Sequence, residues 1–257
     1  MMGSKAFENP LLGHARMRAL FRALVETRAL SKPLGKAGLP RFLEACWVGT
    51  AIDLRADDLI SEARGPALLE HIQAVGLRTG SGKPSAKELK KTLAVQAKPF
   101  PGEPVDRLLC AVGSAMAQRS AGQGGIVVAY VAQRDLTGAA WKRFFQIAAV
   151  GDLPLIVVAL PSPQRAGRPT DLARLAGKMI PVIPTDASDA VALYRVAQEA
   201  AVRARAQGGT MVIDCVASGV DPIVLLADQL VSKRICTRRW IASVISFAAP
   251  LAPKREP

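Results

Sequence analysis

Three uninterrupted apolar runs of strand length punctuate the second half of the chain: Ile126 to Ala132, Leu155 to Leu160 and Met211 to Val216. Runs that do not alternate with polar residues suit parallel strands buried on both faces. Helical periodicity separates them. Val105 to Arg119 predicts a helix with Leu108, Leu109, Val112 and Met116 inward. Thr137 is placed to cap a helix carrying Trp141, Phe144, Phe145 and Ala148. A short helix follows from Asp171 to Gly177, then a strand-like stretch from Met179 to Ile183 in which Pro181 favours an edge. Ser188 is read as the cap of a long helix to Gln207, closed by Gly208-Gly209. Pro222 to Ser232 and Arg238 to Phe247 read as final helices.

The first hundred residues are less regular. His14 to Leu30 sets Met17, Leu20, Phe21, Leu24 and Val25 on one helical face, and Ser31 to Gly38 breaks it. Arg41 to Leu54 is a second helical run, and Leu59-Ile60 is a short strand candidate. Pro66 to Val75 reads as a helix, Gly76 to Pro84 as a loop, Lys87 to Ala94 as weakly helical, and Ala97 to Pro104 as irregular linker.

Alternation of strands and helices predicts an α/β domain with a doubly wound parallel sheet joined by right-handed crossovers. We expect one domain over 1–257, with a helical lead-in to about 104 and an α/β core over about 105–247. Ligands of such sheets bind beyond the carboxyl ends of the strands, here near Gln133, Pro161 and Ala217.

Composition adds limits. A length of 257 residues and 50% hydrophobic content allow a sizeable core, and with only 5% aromatics it must be built from Ala, Leu, Val and Ile. The net charge of +13 raises nucleic acid, acidic membrane or a phosphorylated ligand. The basic clusters, Lys83 to Lys91, Lys233 to Arg239 and Lys254-Arg255, lack interleaved stacking aromatics and read as solvated faces. A basic nucleic-acid-binding protein is retained as an alternative. Cys46, Cys110, Cys215 and Cys236 form no C-x-x-C pair and read as reduced core thiols. No apolar stretch approaches the ~18 residues of a membrane span, nor does the N-terminus carry a signal-peptide core. These features predict a cytoplasmic protein without a membrane partner.

Familiar site motifs are excluded by their chemistry. The G-S-G-K within Gly76 to Lys83 has the wrong spacing for a phosphate loop, and Pro84 stands where a metal-binding hydroxyl is required. His14 and His71 have no Cys, His or acid at ligand spacing. No G-x-S-x-G or G-x-G-x-x-G follows a strand.

Several short segments form an ordered series. They are the helix Arg16 to Leu30 with its late Arg, Glu44-Ala45-Cys46 before Val48-Gly49, and Asp58-Leu59-Ile60. Arg64, the small-residue helix Leu109 to Arg119, and Ala148-Ala149 with Leu153-Pro154 follow. Asp221-Pro222-Ile223 with Leu225-Leu226 closes the series. In this order and spacing the chain resembles, over most of its length, the alpha subunits of the thiamine-diphosphate-dependent 2-oxoacid dehydrogenases. The resemblance implies a thiamine-diphosphate-binding fold, thiamine diphosphate and Mg²⁺ as cofactors, and a beta-like partner subunit and/or homo-oligomer.

It also implies where the cofactor would be held: by a G-D-G motif after one strand and an Asn at the end of the next. Counting back from Leu153-Pro154 puts Ala132, Gln133 and Arg134 on the first motif, and Pro161 and Ser162 on the second. Arg64 falls on the Arg of the family's Y-R-x-H-G. Its Tyr and His-Gly are replaced by Ala63 and Pro66-Ala67, and the H-G-H loop before Asp221 is reduced to Ala217 to Val220. The candidate cofactor-binding positions are therefore Arg64, Gln133, Arg134, Asp135 and Ser162, with Asp135 supplying a carboxylate only after a register shift. No catalytic residue or metal ligand is assigned. Mg²⁺ prefers oxygen ligands that include a carboxylate. Each unit charge at ~4 Å matters by about 4 kcal/mol at an effective dielectric near 20, so exchanging Asp for Gln and adding Arg134 opposes the metal. The expectation is an alpha-like subunit with an eroded cofactor site and a structural role. The alternative is an active oxidative decarboxylase whose Arg134 and Arg64 grip diphosphate without metal.

Overall fold

A computed structural model describes residues 12–31, 42–55, 57–61, 72, 103–122, 124–161 and 170–249. The helices of the first segment are α1 (His14–Ser31) and α2 (Glu44–Ala51), followed by β1 (Leu59–Ser61). The core continues through α3 (Pro104–Ala121), β2 (Val127–Ala132), α4 (Gly138–Ala148), β3 (Leu155–Leu160) and α5 (Leu172–Ala176). It closes with β4 (Val182–Asp186), α6 (Ala190–Arg205), β5 (Met211–Val216), α7 (Pro222–Ser232) and α8 (Arg238–Ala248). The expected elements at 66–75, 76–84 and 87–94 lie outside the described residues, as does His71.

All strand pairings are parallel, in the order β1-β2-β3-β5-β4. The fold is thus a doubly wound α/β sheet. The unbroken apolar runs are central, and β4, with Pro184 inside it, is an edge, where a missing N–H costs no ladder bond. The strand begins after Pro181 rather than at Met179.

Because side chains alternate along each strand, the two faces have separate cores. Val128, Tyr130, Ile156, Val158 and Ile213 face α1, α2, α6, α7 and α8. Val127, Ala129, Val131, Val157 and Val212 face α3, α4 and α5. On the first face, α2 crosses α6 at Gly49. A Cβ there would lie 2.7 Å from the Cβ of Leu193 and 3.1 Å from the carbonyl oxygen of Ala190, so only glycine permits this approach.

Four sequence expectations need correction. Pro104 does not end a linker but opens α3, where its missing N–H is harmless. Asp189, not Ser188, caps α6: its carboxylate accepts from the N–H groups of Val191 and Ala192. The Ser188 hydroxyl is engaged instead by the carbonyl of Val220 and the hydroxyl of Ser218, both at 2.8 Å. Leu109 and Met116 do not point inward. The stripe of α3 that packs on the sheet is Leu108, Ala111, Val112 and Ala115. Of the thiols, Cys46 and Cys215 are buried and Cys236 partly so, whereas Cys110 is exposed on α3. Contact with Cys46, together with burial, pushes the Cys215 thiol pKa up, which keeps it protonated and unreactive. Among the described residues, no helix is long and apolar enough to cross a membrane.

Candidate functional site at the carboxyl ends of the sheet

Beyond its last residue β2 tightens into a single 3-10 turn, Gln133–Asp135. The turn folds Gln133 back over the sheet. Its amide nitrogen donates to the Asp214 carboxylate at 2.7 Å and to the Cys215 carbonyl at 2.9 Å, both on β5. The Ala159 carbonyl of β3 lies 3.3 Å from the same nitrogen. With two hydrogens for three oxygens, one of these bonds is shared. Thr170 donates to the other Asp214 oxygen at 2.6 Å and accepts from the N–H of Leu172, tying the start of α5 to the cluster.

Asp214 is buried, and its described partners are neutral donors. Burial raises its pKa, and the bonds from Thr170 and Gln133 offset this only in part. Three oxygens, from β3 and β5, thus converge on the one amide nitrogen of Gln133.

The neighbouring candidates point elsewhere. Arg134 and Asp135 are partly exposed and face each other, Nε to Oδ1, at 3.7 Å. Asp135 therefore turns toward an arginine, not toward the strand ends. Arg64 and Ser162 lie outside the described residues. Of the five positions, Gln133 alone is shown entering the polar cluster. At the position that the resemblance assigns to the metal's carboxylate, an amide presents its hydrogens to the surrounding oxygens. Among the described residues, no group of three or more His, Cys, Asp or Glu could hold a metal ion.

Sequence reasoning missed Asp214 and Thr170. The available signal was an acid inside an apolar strand, Met211 to Val216, because a carboxylate there must find buried donors.

A second polar cluster joins α1, α2 and α7. Arg28 grips Glu44 through two bonds, Nε to Oε1 at 2.8 Å and Nη2 to Oε2 at 3.1 Å. Its third nitrogen, Nη1, reaches Asp221 at 2.7 Å. The guanidinium also stands over the Phe42 ring, 5.5 Å from its centroid. Asp221 uses its other oxygen to cap α7 through the N–H of Ile223. Although burial alone would raise it, the bonds from Arg28 and Ile223 hold the Asp221 carboxyl below the usual range. Burial disfavours the Arg28 charge, but Glu44 and Asp221 overcome that and raise its pKa. Three residues from well-separated segments of the motif series thus meet at one point.

The fold and these clusters define the chain as a doubly wound parallel α/β protein whose sheet is sealed by polar side chains at the carboxyl end of β2. No protein-family model matches the chain, and no curated protein matches it either.

Proposed function

We propose that this chain is a non-catalytic relative of the alpha subunits of thiamine-diphosphate-dependent 2-oxoacid dehydrogenases, acting as a structural subunit beside a beta-like chain. The observation that carries the reading is the Gln133 amide, bonded to Asp214 and Cys215 at the strand end where the resemblance places a metal-binding acid. Support for the kinship comes from the parallel sheet and from the meeting of Arg28, Glu44 and Asp221, each in a segment that carries the resemblance. A structural role preserves the packing that holds such an ion cluster while the cofactor position closes.

Calorimetry with thiamine diphosphate and Mg²⁺ tests it. No metal-dependent heat is expected; micromolar, metal-dependent binding overturns the reading. Affinity capture at native expression tests the partner, with a co-purifying beta-like subunit as the expected result.

A further inference from the structure

The last two helices meet in a basic corner. α7 gives way to Lys233 and Arg234, α8 begins with Arg238 and Arg239, and all four side chains are exposed. Among the described residues, none of these side chains has an ion-pair or hydrogen-bond partner. Residues 229–249 include no acid. α1 brings two further cations to the same place. Arg18 reaches the carbonyl oxygen of Ile235 at 3.4 Å, and the Arg22 guanidinium stands 5.5 Å from the centroid of the Trp240 ring. The run that reads as a solvated face in the sequence is thus one side of a larger patch.

Two features of the patch oppose local stability. Arg234 has φ 57°, the left-handed position that ends α7, where the N–H of Ile235 returns to Leu230 at 2.9 Å and that of Arg234 to Val231 at 3.0 Å. Glycine takes this position without steric cost. Arg238 and Arg239 occupy the first turn of α8, which holds no acid, so two cations stand at the positive end of the helix dipole. A solvated face gains nothing from either choice. Residues that disagree with their local structure mark functional positions. An anion at this corner turns the repulsion among these cations into attraction.

The outer face of α8 indicates which anion. At 100° per residue, Arg238, Ala242, Ser246, Arg239 and Ser243 span about 140° of arc, and all are exposed. Small side chains between arginines admit a phosphate backbone at close range. A helix that lies in a membrane surface gathers its apolar residues on the exposed side. Here the exposed Ile245 and Phe247 are split to opposite edges of the face. Trp240, the aromatic next to the arginines, is half-buried against Phe21 with Arg22 over its ring, so it is not presented for base stacking. The contacts this corner offers are therefore to phosphates, which position a duplex without reading its sequence.

We propose that the α7–α8 corner, through Lys233, Arg234, Arg238 and Arg239, binds the sugar–phosphate backbone of a nucleic-acid duplex. This does not rest on the dehydrogenase reading, since no cofactor position and no partner subunit enters it.

Fluorescence anisotropy of a short labelled DNA duplex of mixed sequence, titrated with the full chain, tests it. Binding is expected to weaken with salt at a logarithmic slope of about −3 to −4, as about four phosphate contacts require. Arg238→Glu with Arg239→Glu should weaken binding roughly tenfold or more and cut that slope by about half. The same pair puts acids at the positive end of α8 and should raise the thermal midpoint, so the lost binding cannot come from unfolding. Arg234→Gly should likewise raise the midpoint while weakening binding. Lys142→Glu with Arg143→Glu makes an equal charge change on exposed positions of α4, across the sheet, and should leave affinity within about threefold. Absence of binding at low salt overturns the proposal, as do equal losses from the α8 and α4 pairs. Tighter binding to anionic lipid vesicles or to polyglutamate than to the duplex also overturns it.

Discussion

Helices α1 and α3 are each 18 residues long, yet twelve residues of α1 are buried and only four of α3. The difference lies in what covers them. α1 is packed against α2, α6, α7 and α8, so most of its circumference meets protein. α3 lies on the sheet as a single outer layer, and only one stripe is hidden. On the thick side, Arg28, Glu44 and Asp221 pair as charges and enclosure strengthens their bonds; on the other face the buried carboxylate, Asp214, sits at the end of the sheet and is met by the neutral donors Gln133 and Thr170. On the thin side, charges such as Asp106 and Arg143 remain in water. A doubly wound sheet can therefore be a deep core on one face and a thin cover on the other.

The contrast can be broken most sharply at its two arginines. Arg28→Ala leaves Glu44 buried without its bidentate partner and should cost about 3 kcal/mol, read from urea unfolding. Arg143→Ala on the thin face should stay within about 0.5 kcal/mol.

Two helical glycines sharpen it further. Gly49→Ala drives a methyl into Leu193 and should cost about 1–3 kcal/mol. Gly113→Ala has open space and should stabilise by about 0.5–1 kcal/mol through helix propensity. Equal shifts at both sites, measured by thermal unfolding, would erase the distinction between the faces.

The smallest effects concern two carboxylates with opposite shifts. Asp221 has a lowered pKa, so its contribution is present above the ordinary carboxylate range and is lost as pH falls through the lowered value. Asp214 has a raised pKa. The fold binds its proton more tightly than the unfolded chain does, so stability declines as pH rises through the raised value. Asp221→Asn should flatten the acid limb of a stability–pH profile. Asp214→Asn should remove the decline above it, since its amide can still accept from Gln133 and donate to Thr170.

Much of this architecture was legible in order. The three apolar runs became β2, β3 and β5 within a residue, and Thr137 caps α4 through the N–H of Ala140 as its position foretold. Helix ends chosen by competition among neighbouring polar residues were not legible. Ser188 and Asp189 are both good caps, and the decision fell to the loop after β5, which claimed the Ser188 hydroxyl. The inward face of α3 was misjudged for a related reason: Leu109 and Met116 are as apolar as Leu108 and Val112, and a one-residue rotation exchanges the two stripes. For the candidate site, the exchange at Gln133 could be seen, but its bond to Asp214, 81 residues away, could not.

The order of residues alone determined the class of fold, because unbroken apolar strands alternating with helices can bury themselves only as a covered parallel sheet. Only the tertiary structure decided that β5 inserts between β3 and β4, that Arg28 collects Glu44 and Asp221, and that Gln133 turns inward. The reason is physical: periodicity reports which residues leave water, whereas pairing a buried charge or amide depends on which distant donors and acceptors share its enclosure.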